Sequence, residues 1–167
     1  MRTPKGDQIR LVSSKGDLPP QDYQLHKRLG FKLSRLSRVM QSRLEAQLAH
    51  HGLTRLTWCV LVSVAHEART TPSDLADHIG ITRPAMSRLI RGLIAEGLIE
   101  RGVAKADGRS REISLTQKGQ GVLAACWPMV EENQQHFASK LSQSQRDALN
   151  VALDQLLEGE MAAFDDL

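Results

Sequence analysis

The 167-residue sequence predicts a mainly α-helical protein with one small β-hairpin. Apolar residues recur at steps of three and four through long stretches, the period of a one-sided helix. Hydroxyl residues suited to capping stand just before several of these stretches. One segment, residues 98–115, instead has two short strand-like runs flanking a turn that contains Gly108. The length suits one domain, and 25% charged with 41% hydrophobic residues is an ordinary globular balance.

Residues 1–20 read as a flexible basic arm, interrupted by Pro4, Gly6, Gly16, Pro19 and Pro20. A long helix follows, its stripe marked by Leu25, Leu29, Leu33, Leu36, Met40, Leu44 and Leu48, with Gly52 as its stop. The second helix opens at Thr54, and its near-continuous apolarity through Ala65 predicts burial on more than one side. Arg69 and Thr70 form a short link or a one-pair strand. Thr71, Pro72 and Asp74 start a third, short helix that Gly80 ends. The fourth begins after Thr82, accommodates Pro84 in its first turn and stops at Gly97. Beyond the hairpin, Thr116 caps a fifth helix that Pro128 is expected to kink. Ser142 and Gln145 form a capping box for a sixth, whose apolar side carries Leu149, Leu153, Leu156, Leu157, Met161 and Phe164.

Helix, short helix, tight turn, helix and hairpin in this order make a winged helix-turn-helix. Ala76 suits a close approach of two helices, and Gly80 gives the turn a permissive backbone. Leu75, Ile79, Ile81, Met86 and Leu89 have the spacing to seal the pair. The helix from Thr82 to Glu96 then projects as a groove reader, with Thr82, Arg83, Ser87, Arg88 and Arg91 as its candidate DNA contacts. Arginine can hold guanine edges with two hydrogen bonds or neutralise a phosphate, and hydroxyls serve either purpose.

The hairpin tip strengthens this reading. Lys105, Arg109 and Arg111 face a single acid there, Asp107, and so basic a tip calls for an anionic partner. An arginine on a thin loop suits the narrow minor groove. Asp107 has the wrong sign for a phosphate contact; it reads as the residue that orients Arg109, a role compatible with plain turn formation ahead of Gly108. The whole-chain charge of +3 conceals a strong gradient. Residues 1–55 hold 11 Lys/Arg against 4 Asp/Glu, whereas residues 131–167 hold 2 against 8. A basic first part suits a polyanion.

Asp107-Gly108-Arg109, followed after five residues by Leu115-Thr116 and then Lys118-Gly119, resembles the wing signature of the MarR family of transcriptional regulators. Gly97 to Arg101, and Leu53-Thr54 with Trp58 and Leu61, extend the resemblance, which covers about residues 22 to 167. It implies a homodimer on a pseudo-palindromic double-stranded operator, with repression relieved by a small, often aromatic, effector. The implied organisation is an arm (1–20), a dimerisation helix (21–52), a DNA-binding domain (53–116) and C-terminal dimerisation helices (117–167). Independently, the apolar stripes of the first and last helices exceed what a small winged domain can cover.

For the effector, the resemblance points to the junction of the first, second and fifth helices, where Trp58 offers a flat wall and Arg43 a carboxylate partner. Trp58 as core and Arg43 as solvated surface are the plainer readings. Cys59 and Cys126 show no neighbouring cation in sequence and are expected to be packed rather than redox-active. The six histidines lack metal-ligand spacing, so no metal and no cofactor is expected; His50 and His51 suit a helix C-terminus. No phosphate loop, nucleophile elbow or metal-hydrolase motif supports an enzyme. A winged helix used for protein contacts alone would not require the basic tip. With no membrane-length apolar run, no secretory signal and only two cysteines, a cytoplasmic, nucleoid-associated protein is expected.

Overall fold

The computed structural model describes residues 22–103 and 111–160. The chain divides into two compact units, residues 1–36 and 37–167. In the first, a 3-10 turn at Leu25–Lys27 precedes α1, and the Arg28 guanidinium lies 4.5 Å from the Tyr23 ring centre. The leucine stripe starts at Leu25, but α1 runs Leu29–Leu48, because Arg28 is extended. Gly30, a poor helix former in the first turn, gives the upstream segment no reason to join.

The second unit holds the rest of α1 and then α2 (Arg55–His66), α3 (Pro72–Ile79), α4 (Arg83–Ala95), β1 (Ile99–Val103), β2 (Arg111–Leu115), α5 (Gln117–Ala138) and α6 (Gln143–Leu157). Each of α2 to α6 starts where a hydroxyl can accept a backbone N–H. Thr54 and Ser142 form reciprocal capping boxes with Thr57 and Gln145. Thr71, Thr82 and Thr116 accept from Asp74, Ala85 and Gly119. His50 and His51 fall in a 3-10 turn directly after α1, and Gly52 follows in the left-handed region at φ 72°. α5 continues through Pro128 as one helix. At its end Arg146 donates to the carbonyls of Ala138 and Leu141, at 3.0 and 3.1 Å.

The two strands pair antiparallel, from Ile99 opposite Leu115 to Val103 opposite Arg111. The Arg69–Thr70 link joins their edge: the Ile113 N–H donates to the Thr70 carbonyl at 2.8 Å. The core runs from Leu44 and Leu48 through Val60, Leu61, Leu75, Met86, Ile90 and Leu93 to Ile99, Ile113 and Cys126. Ala76 is fully buried, and its carbonyl receives the N–H groups of both Gly80 and Ile81. Gly80, at φ 73°, makes the turn into α4. By contrast, Leu149, Leu156 and Leu157 on α6 are exposed, while Met161 and Phe164 lie outside the described residues. No described helix is long and apolar enough to cross a membrane.

Candidate nucleic-acid interface

Met86, Ile90 and Leu93 bury one side of α4, which fixes what the other side presents. Arg83, Arg88 and Arg91 are exposed, Ser87 is half-buried, and Thr82 is the half-buried N-cap. These are the five positions expected on the reading helix. Arg101, which sequence reasoning had left as part of the wing root, joins them. It is exposed on β1 and lines a recess of about 470 Å³ with Ser87, Arg91, Ile94 and Ala95. Strand alternation offers no signal for it, because alternation puts Arg101 on the face of buried Ile99; only the fold shows β1 beside α4 with Arg101 exposed. Among the described residues none of Arg83, Arg88, Arg91 and Arg101 is in an ion pair. Lys105, Asp107 and Arg109 lie outside the described residues; Arg111 opens β2 opposite Val103.

The root of the hairpin is fastened to the end of α4. The Thr116 N–H donates to the Leu98 carbonyl at 3.1 Å, and its hydroxyl donates to the Gly97 carbonyl at 2.6 Å while receiving the Gly119 N–H. Lys118 Nζ donates to the Glu96 carbonyl at 2.7 Å, placing a cation on the C-terminus of α4. Gly119 has no side chain for a strict reason: a Cβ there would stand 2.0 Å from the Leu98 oxygen. This accounts physically for the Thr116 and Lys118-Gly119 elements of the sequence signature.

A second concavity of about 990 Å³ opens between the end of α2, β2 and the first half of α5, lined among others by Val64, His66, Glu112, Leu123 and Trp127. The Trp127 ring centre lies 5.6 Å from that of His66 and 6.4 Å from that of Trp58. Neither Arg43 nor Trp58 lines this cavity. Trp58 is half-buried behind Trp127 and packs on the core. Arg43 is paired with Glu132 on α5 at 2.5 Å, and Gln47 donates to the other oxygen of that carboxylate at 2.6 Å. The Gln47 hydrogen bond, followed by the Arg43 charge, lowers the Glu132 carboxyl below its ordinary range despite an opposing desolvation effect.

Both thiols are free. Arg55, one helical turn before Cys59, stands 3.9 Å from its sulfur. Burial nevertheless outweighs that charge and pushes the Cys59 thiol up, and burial does the same to Cys126. His78 meets Glu67 at 2.6 Å. Among the described residues no group of three potential metal ligands is assembled.

A family model described as the MarR family matches residues 51–110. Among solved structures, the chain is similar to a MarR family transcriptional regulator from Silicibacter pomeroyi, with 26% identity over 81% of this chain and 91% of the other and a TM-score of 0.73. It is also similar in fold to Staphylococcus aureus MepR, solved with DNA (24% identity, 78% and 95% covered, TM-score 0.72). A third such structure is CouR from Rhodococcus jostii bound to p-coumaroyl-CoA (20% identity, 80% and 94% covered, TM-score 0.73).

Proposed function

We propose that the chain is a member of the MarR family, whose model matches residues 51–110, and that it is a homodimeric, sequence-specific repressor released from its operator by a small effector. One observation carries the DNA-binding reading: Arg83, Arg88 and Arg91 stand exposed on α4, Arg101 of β1 shares a recess with Arg91, and no described acid pairs with any of the four. Unpaired guanidinium groups on a projecting helix are what a duplex, with a phosphate charge every ~1.7 Å of its axis, would recruit. Arg83, Ser87, Arg88 and Arg91 work in the major groove, and Thr82 helps to seat the helix N-terminus against a phosphate. Lys105, Arg109 and Arg111 extend along the flanking minor groove, with Asp107 orienting Arg109.

The dimer reading rests on apolar surface that a single chain leaves uncovered, on Leu29, Leu36 and Val39 of α1 and on Leu149, Leu156 and Leu157 of α6. An isologous pair would present two α4 helices to a pseudo-palindromic site.

The 990 Å³ cavity supports the effector reading in place of the Arg43 and Trp58 junction. Its size falls in the range of small-molecule sites. Its walls come from α2 and β2 on one side and α5 on the other, so an occupant that fits only one arrangement of these elements would shift the protein toward it. The effector shares the aromatic character that Trp127 invites.

Selection of bound duplexes from a random pool, followed by affinity measurements across a salt series, tests the DNA reading. The expected outcome is a two-fold symmetric consensus whose affinity falls steeply with salt. Removing residues 1–20 should flatten that slope. A full-length protein that stays monomeric, or that binds no duplex at low salt, would overturn the proposal.

A further inference from the structure

We infer that the cavity beside Trp127 takes a planar aromatic cation and discriminates against aryl carboxylates, an inference that rests on the effector reading above. The aromatic preference comes from its walls. Trp127 is 42% exposed, so its ring is reachable; His66 lies tilted against it, and Val64 and Leu123 add apolar surface. The sign of the charge comes from three further features. Glu112 is the one carboxylate lining the cavity, and no Lys or Arg lines it among the described residues. The last turn of α2, through Val64, Ala65 and His66, borders the same space, and a helix C-terminus carries negative partial charge. The opposite end of a helix dipole also touches the cavity, at Gln120 in the first turn of α5, but the N–H groups of Gly119 and Gln120 there are already committed. The Gly119 N–H is bound by the Thr116 hydroxyl and the Gln120 N–H by the Thr116 carbonyl.

An aryl carboxylate would therefore meet Glu112 and the α2 carbonyls, with His66 and the neutral side chains of Thr70, Ser114 and Gln120 to receive it and no Lys or Arg among the described lining residues. A cationic ring would stack on the Trp127 face, where the ring quadrupole attracts it, with Glu112 as counter-ion. Arg43, the residue suited to an anion, is already held by Glu132 on another part of α5.

Two probes of equal ring size and opposite charge test this on the full-length protein: 1-methylquinolinium and quinoline-4-carboxylate. Binding is read by calorimetry and by quenching of tryptophan emission, which is local because the chain's two tryptophans, Trp58 and Trp127, are neighbours. The cation should bind at least tenfold tighter than the carboxylate. Glu112→Gln should reduce that preference at least fivefold without abolishing binding, and Trp127→Leu should weaken the cation at least fivefold. Carboxylate binding as tight as that of the cation would overturn the charge assignment while leaving the effector site standing. So would an unchanged preference in Glu112→Gln. If neither probe binds up to millimolar concentration, or if Trp127→Leu binds both as the wild type does, the cavity is not the site and the effector reading falls with it. Operator release is then measured with wild type and Glu112→Gln side by side, which cancels any effect of the dye on DNA. Tight cation binding without release would refute regulation through this cavity and leave the ligand class intact.

Discussion

Gly119→Ala isolates the contact that joins α5 to the root of the hairpin. The added methyl would meet the Leu98 carbonyl oxygen at 2.0 Å and its carbon at 2.9 Å. Both obstacles are backbone atoms, so neither can rotate away; the start of α5 must retreat by roughly one and a half ångströms to reach ordinary contact. Four hydrogen bonds are tuned to the present separation: Thr116 N–H to Leu98, the Thr116 hydroxyl to Gly97, Gly119 N–H to that hydroxyl, and Lys118 to Glu96. Overpacking of this kind costs ~1–3 kcal/mol, and each weakened hydrogen bond ~0.5–1.5 kcal/mol. A loss of about 2–4 kcal/mol follows, which for a chain of this size lowers Tm by roughly 5–15 °C. Gly121→Ala, two residues further along the same helix, is the control: its methyl would meet nothing within 4 Å. Removing a helix-interior glycine should there raise stability by about 0.5–1 kcal/mol. Thermal unfolding of both variants at one protein concentration is the measurement. A Gly119→Ala protein as stable as Gly121→Ala would refute the close-approach argument.

Arg101→Ala should weaken operator binding at least about fivefold and reduce the salt slope by about one, as a phosphate contact would; anisotropy across a salt series checks it, and an unchanged slope counts against the recess. Arg109→Ala should cost at least ~1 kcal/mol of operator affinity, and a wild-type gel-shift affinity would remove the wing tip from the interface. Because the Glu132 carboxyl is held below its ordinary range, its contribution is present above the unfolded-state pKa and is lost as pH falls through the lower folded value. Glu132→Gln should accordingly shrink the loss of Tm between neutral and strongly acid buffer, and an identical acid limb would refute the pairing. Cys59, with its thiol raised by burial, should alkylate at least tenfold more slowly than free cysteine at neutral pH; mass-resolved iodoacetamide kinetics report this, and a faster-than-free rate would reopen redox sensing.

What could be read from the sequence was local. Thr54, Thr71, Thr82, Thr116 and Ser142 announce helix starts because a capping oxygen reaches only to a backbone N–H three residues on. Gly80 is equally self-contained, since its left-handed backbone is required by the turn it sits in. What escaped involved distant partners. Arg43 looked like a solvated arginine or an effector ligand because Glu132 is 89 residues away. Lys118-Gly119 was legible as a signature, but its reason, contact with Glu96 and Leu98, exists only once α5 is folded against the hairpin root. Arg101 could be placed on a strand but not beside Arg91, and the Trp127 and His66 pairing that shapes the cavity spans α2 and α5. The segment 25–28 went astray for the opposite reason: a periodic pattern continued past the point where the backbone turned extended.

The fastening at Thr116 and Lys118 would constrain how the proposed operator release can happen. With β1, β2 and the end of α4 tied together through Glu96, Gly97 and Leu98, the groove reader and its hairpin travel as a single paddle. An effector has little leverage to tilt one against the other. In the proposed dimer, its available stroke would be to alter the stance between the two paddles, so that both remain intact yet no longer straddle one turn of duplex.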